Sequence, residues 1–173
     1  DPVLSAIGQA RNSYTPAQIA RYLTTIASKG DLYSLSILDK LTDSKETLIE
    51  DYAPEILEHI ELKPSTWKSI FSGMYKVIGN SSFLSIFSDL SVEVAGKSGT
   101  AQENALRPDH GLFVCFAPYD DPEITVTVVL PYGYGSYNSG SVAKNMLSYV
   151  FHENEATDGK RQAADVDGTI VSD

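Results

Sequence analysis

Apolar positions along the chain recur with two spacings. Thr15-Pro16-Ala17-Gln18 opens the first helical pattern: Thr15 can cap, Pro16 suits the first helical position and Gln18 completes a capping box. Ile19, Leu23, Ile26 and Ala27 then repeat at helical spacing, and Gly30 is a natural stop. A more irregular stretch follows, with short strands predicted near Tyr33–Leu38 and Thr47–Ile49. A second helix is predicted after Pro64, capped by Ser65 or Thr66. Its apolar stripe is Trp67, Ile70, Phe71, Met74 and Ile78, which reads as core and not as a cofactor box. Gly73 inside it costs up to ~1 kcal/mol relative to alanine, so close packing against a neighbour is expected there.

Beyond residue 90 the spacing changes to two. Val92 and Val94 alternate with polar neighbours and lead into Ala95-Gly96-Lys97-Ser98-Gly99-Thr100-Ala101-Gln102. Gly111–Tyr119 is a continuous apolar run, expected to be a strand buried on both faces. Asp120-Asp121-Pro122 marks a turn, after which Ile124, Val126, Val128 and Leu130 alternate with Thr125 and Thr127. The short links favour an antiparallel meander of three strands. The loop Pro131–Gly140 is rich in Gly and Tyr. A last helix is expected from about Ser141 to Phe151, with Val142, Met146, Tyr149 and Val150 turned inward.

With 173 residues and 42% hydrophobic composition the chain has the size of about one folded domain. It has no apolar run long enough to cross a membrane. The absence of an initiator methionine before Asp1-Pro2-Val3-Leu4 suggests a piece of a longer protein. Net charge is −10, which argues against nucleic acid and against an anionic membrane surface. Residues 153–173 hold six acids and two bases and are expected to form a mobile acidic tail. Cys115 is the only cysteine, so no internal disulfide and no cysteine-based zinc site can form; within Leu112–Phe116 it reads as a buried small hydrophobe. Glu46, Glu50 and Asp51 read as solvated surface, and neither a metal nor any other cofactor is expected.

The segment richest in chemistry is Ala95–Gln102. On a strand edge, Lys97, Ser98 and Thr100 can all border one groove. Gly99 lets a ligand backbone come close, and Lys97 offers a positive charge. The two hydroxyls can hold a carboxylate. The N–H of Thr100 can donate to a developing oxyanion, where one such donor is worth ~2.7–4 kcal/mol in acyl transfer. Taken by itself the segment also fits a plain turn with a solvated lysine.

The wider sequence decides between these. Ala-Gly-Lys-Ser-Gly-Thr-Ala-Gln resembles the Lys-Thr/Ser-Gly motif of the penicillin-binding proteins, in the form of their class B, monofunctional members. Ala6-Ile7-Gly8-Gln9 with Thr15-Pro16-Ala17-Gln18 resembles that family's Ile-Gly-Gln … Thr-Pro-x-Gln stretch. Trp67 to Met74 resembles its Trp … Gly-Met helix. Asp109-His110-Gly111-Leu112-Phe113 and Phe116-Ala117-Pro118-Tyr119 resemble the strand after the motif. The match is collinear over roughly residues 6–152.

The resemblance implies a mixed α/β fold, an antiparallel sheet flanked by helices, of which this chain is the C-terminal part. It implies a serine D,D-transpeptidase of cell-wall synthesis, serving cell shape or division. Its partners would be a peptidoglycan stem peptide or a β-lactam, together with the N-terminal part of the same domain, and the parent would sit outside the cytoplasmic membrane on an anchor. Lys97, Ser98, Gly99 and Thr100 would carry catalytic roles, with Ser98, Thr100 and Gln102 binding substrate. Residues 97–100 would form one wall of a cleft. The nucleophilic serine, its lysine and a Ser-x-Asn motif would lie ahead of Asp1, leaving this polypeptide inactive alone. A penicillin-recognising sensor, a degenerate homologue or a structural module of cell-wall assembly are the other readings.

Literal matches to the missing motifs exist within the chain. Ser65-Thr66-Trp67-Lys68 and Ser141-Val142-Ala143-Lys144 fit Ser-x-x-Lys, and Ser136-Tyr137-Asn138 fits Ser-x-Asn. Random placement of 20 serines, 9 lysines and 6 asparagines gives about one of each. Asp109-His110 near Ser98 invites a Ser-His-Asp triad, but adjacent residues on an extended chain point oppositely, so a structural strand-start histidine is expected. His59 and His152 have no ligand-type neighbours at useful spacing.

Overall fold

The computed structural model describes residues 13–79, 81–103 and 106–151. The Ile7-Gly8-Gln9 stretch, His152 and the acidic tail lie outside the described residues. In order, the chain forms α1 (Pro16–Ala27), β1 (Asp31–Tyr33), β2 (Lys40–Thr42), β3 (Leu48–Asp51), β4 (Ile56–His59), α2 (Pro64–Ile78) and α3 (Ser81–Phe87). It continues with β5 (Ala95–Ala101), β6 (His110–Ala117), β7 (Ile124–Leu130) and α4 (Ser136–Val150).

The helix start at Thr15 forms as its residues dictate. The Thr15 hydroxyl accepts from the N–H of Gln18 at 3.2 Å, and the Gln18 side chain accepts from the N–H of Thr15 at 2.9 Å. Past α1 the backbone turns at Gly30, whose φ of +127° is open to glycine and strained for other residues.

The centre is a three-stranded antiparallel sheet in the order β5-β6-β7. Alternation along β6 sends Phe113, Cys115 and Ala117 into one core and Val114 and Phe116 into another. The first core is closed by α3 and α4, where Phe83 and Phe87 stack on Phe113 with centroids 5.0 and 5.5 Å away. The second is closed by α1 and α2, where Phe71 meets Phe116 at 4.8 Å. Both faces of the sheet are therefore covered, which is why this strand reads as an unbroken apolar run. Thr125 of β7 faces α1 and meets Thr24 at 3.0 Å between hydroxyl oxygens.

Several expectations are corrected. The first short strand is Asp31–Tyr33 and stops before Leu38, the second is Leu48–Asp51, and β2 and β4 lacked a readable pattern because every residue in them is exposed. β1 pairs with β4 and β2 with β3, both antiparallel. Helix α2 starts at Pro64 itself. Its cap position is Lys63, with no side-chain cap, because proline already supplies the helical φ and has no N–H to satisfy. Gly73 is exposed, and a Cβ there would meet nothing within 4 Å, so it is not a close-packing site. Val92 and Val94 precede β5, and β6 ends at Ala117, before Pro118.

Helix α4 starts at Ser136, five residues before the predicted start, and its buried face is Ser139, Gly140, Ala143, Leu147 and Ser148. Val142, Met146, Tyr149 and Val150 face outward. Small residues take much of the inner face because α4 lies close to its neighbours: a Cβ on Gly140 would lie 2.9 Å from Phe83 of α3, and one on Gly111 of β6 would lie 2.7 Å from the Ser139 hydroxyl.

Candidate functional site

Lys97, Ser98, Gly99 and Thr100 lie on β5, an outer strand of the sheet whose only partner among the described strands is β6. Lys97 and Thr100 are exposed, while Ser98 and Gly99 are half-buried. The strand enters the core at its other end, where Ala95 is fully buried. Gly96 fixes the close approach to β6: a Cβ there would lie 2.9 Å from both the Phe113 ring and the Val114 carbonyl oxygen.

The Lys97 ammonium donates to the Ser98 carbonyl at 2.6 Å, and among the described residues it makes no ion pair. Gly99 pairs with Leu112, and a Cβ on it would come within 3.3 Å of the Leu112 Cβ. Cross-strand packing thus gives this glycine a reason of its own. Gln102 is exposed just past the strand. Alternation puts Lys97 and Gly99 on one face of the strand and Ser98 and Thr100 on the other, so the segment carries a cation, two hydroxyls and an edge backbone, groups suited to holding an anionic or peptide-like ligand.

Three surface cavities of the described residues lie elsewhere. One of about 470 Å³ is lined by Lys29, Trp67, Lys68, Phe71 and Tyr119 among others, and one of about 430 Å³ lies between α1 and Trp67 and Ile70 of α2. The third, of about 460 Å³, is lined by Tyr14, Gln18, Ile19 and Tyr22. None is lined by Lys97, Ser98, Gly99, Thr100 or Gln102. Among the described strands β5 is paired on one side only, by β6.

Residues of the competing motifs make contacts outside any shared site. The Ser65 carbonyl accepts from Ser69, Lys144 pairs with Asp89 at 2.8 Å, the Ser141 hydroxyl donates to the Tyr137 carbonyl, and the Asn138 side chain donates to the Gly133 carbonyl. His110 does start β6, as expected. Ser98 pairs with Phe113 and His110 with Ala101, so register places Ser98 and His110 on opposite faces and no Ser-His-Asp triad forms.

His59 Nδ1 lies 2.6 Å from the carboxylate of Asp31, its cross-strand partner. Sequence spacing hid that neighbour, because strand pairing brings together residues far apart in the chain. Among the described residues no group of three or more His, Cys, Asp or Glu is placed to hold a metal ion. Cys115 is fully buried, and burial pushes its thiol up to about 12, which leaves it protonated and inert at neutral pH.

The antiparallel sheet flanked by helices is the fold that the resemblance in the sequence implied. Comparison with known proteins agrees: residues 3–152 match the penicillin binding protein transpeptidase domain. The chain belongs to that family.

It is 30% identical to the peptidoglycan D,D-transpeptidase MrdA of Haemophilus influenzae, over 88% of this chain and 26% of that protein. It is also 30% identical to penicillin-binding protein 2A of Bacillus subtilis, over 77% of this chain and 20% of that one. Among solved structures, PBP2 of Pseudomonas aeruginosa in complex with WCK 5153 superposes with a TM-score of 0.69 at 28% identity, covering 86% of this chain and 33% of that chain. The chain thus spans about a quarter or less of the length of these curated relatives. No helix among the described residues is long and apolar enough to cross a membrane.

Proposed function

We propose that this chain is the C-terminal part of the catalytic domain of a class B, monofunctional peptidoglycan D,D-transpeptidase. Residues 1–152 belong to that domain, and residues 153–173 are an acidic tail. The observation that carries the reading is the exposure of Lys97 and Thr100 on an unclosed strand edge, inside the stretch that matches the transpeptidase family. An open edge of this kind needs a second wall. The N-terminal part of the same domain supplies it, together with the serine nucleophile.

In the reaction, that serine attacks the carbonyl between the last two residues of a stem peptide ending in D-Ala-D-Ala. The terminal D-Ala leaves, and an amine of a second stem takes the acyl group and frees the serine. β-Lactams acylate the same serine and are released slowly. This chain contributes binding and charge. Lys97 sets the positive field, the hydroxyls of Ser98 and Thr100 hold the substrate carboxylate, and Gln102 binds substrate beside them. The Thr100 N–H forms half of the oxyanion hole. The parent works on the outer face of the cytoplasmic membrane, where its substrate is.

The test is acylation by a labelled penicillin, first of this chain alone and then of the complete transpeptidase domain. The chain alone stays unlabelled and the complete domain is labelled once per molecule. Stoichiometric labelling of the chain alone, or none of the complete domain, overturns the reading. A complete domain that is labelled but leaves a D-Ala-D-Ala donor peptide unchanged in the presence of an amine acceptor is a sensor and not an enzyme.

A further inference from the structure

One tyrosine ties the segment after β5 to the loop after β7. Tyr132 has a left-handed backbone, φ +55°, an uncommon state for a bulky residue. Its N–H donates to His110 Nδ1 at 3.1 Å. Its hydroxyl donates to Glu103 Oε2 at 2.9 Å and accepts from Arg107 at 2.6 Å. Its ring meets the His110 imidazole with centroids 4.9 Å apart and lies 5.3 Å from the Arg107 guanidinium. A backbone N–H can only donate, so Nδ1 of His110 accepts and the ring proton sits on Nε2, which faces Glu103 at 3.6 Å. Tyr132 is 38% exposed, so burial does not account for this convergence on a strained residue.

The clasp meets the strand where the strand is weakest. β5 has one partner among the described strands, and their register ends at Ala101 opposite His110, directly after Thr100 opposite Gly111. Past that pair, Gln102 and Glu103 have no ladder to hold them. Contacts from Tyr132 reach both sides of the gap, His110 at the start of β6 and Glu103 two residues beyond Ala101.

We propose that Tyr132 is a positioning residue. Through His110 and Glu103 it holds the C-terminal end of β5, and with it the Thr100 N–H and Gln102, in the orientation that acyl transfer requires. The inference rests on the reading of β5 as a cleft wall. A donor displaced by a fraction of an ångström costs the acylation step more than it costs ground-state binding, because the oxyanion exists only in the transition state.

The experiment follows acylation of the complete transpeptidase domain by a fluorescent penicillin at rising concentration. This separates the non-covalent dissociation constant from the acylation rate constant. Tyr132→Phe removes only the hydroxyl. It should lower the acylation rate constant about ten-fold while the dissociation constant stays within about two-fold. Glu103→Ala should fall as far, the double variant no further, and Glu103→Gln, which keeps an acceptor for the hydroxyl, should stay near wild type.

If Tyr132→Phe fails to fold, the comparison of Glu103→Ala with Glu103→Gln carries the test. An unchanged rate constant, a loss confined to binding, additive losses in the double variant, or equal losses in Glu103→Ala and Glu103→Gln overturns the proposal. A wild-type domain that takes no label overturns the functional reading instead, and is recognised before any variant is made.

Discussion

Three glycines look alike in the sequence and differ in what surrounds them. Gly73 sits in the middle of α2 with open space where a Cβ would go, and Gly96 sits where a Cβ would lie 2.9 Å from both the Phe113 ring and the Val114 carbonyl. Alanine therefore acts in opposite directions. Gly73→Ala should raise stability by about 0.5–1 kcal/mol, from helix propensity and a less flexible unfolded chain. Gly96→Ala should lower it by about 1–3 kcal/mol, since neither a buried ring nor a strand backbone can yield freely. Denaturant midpoints at constant m-value measure both. Gly99 lies between these cases, tight against Leu112, so its packing role and its role beside a ligand overlap. The motif letters Lys-Ser-Gly-Thr were legible from the start. The clasp on Tyr132 was not, because Glu103, Arg107 and His110 come from one stretch and Tyr132 from another, and the β6–β7 pairing brings the two together.

Among the elements, those with both a local signal and a packing partner were readable. Helix α1 carries its capping box, and β6 and β7 show the apolar positions of strands in a covered sheet. Helix α4 misled, because Val142, Met146, Tyr149 and Val150 face outward while only Leu147 of its large apolar residues is fully buried. Its inner face is set by how near the sheet lies, and no property of the helix alone reveals that distance. The hairpin of β2 and β3 is the opposite extreme. All its strand residues are exposed, and its two strands contact no other helix or strand among the described residues. Its amides should exchange with solvent well before those of β5, β6 and β7, which lie between two helical layers. Hydrogen exchange followed residue by residue checks this. Protection at Leu41 or Ile49 equal to that at Phe113 or Cys115 would contradict the picture.

For the whole molecule, stability is concentrated around the central strand. Cys115 sits there, fully buried, with its thiol held near 12 by burial alone. The folded state therefore keeps the proton that an unfolded chain gives up near pH 9. The resulting stabilisation is complete below that pH and is lost as pH rises from 9 towards 12. Global stability should fall across that window, and Cys115→Ala should fall less steeply there while being less stable at pH 7. Unfolding followed at several alkaline pH values provides the measurement.

The amino-acid sequence by itself determined the three-strand meander, the first helix cap, the inert cysteine and the order of landmarks that places the chain among the transpeptidases. These depend on neighbours in the chain: alternation, capping and turn residues act over a few positions. Only the tertiary structure decided which side of α4 is buried, that β5 has a strand partner on one side only among the described residues, and that Glu103, Arg107, His110 and Tyr132 meet at its end. Those outcomes depend on which elements approach one another and how closely, and such distances arise from packing between segments remote in the chain.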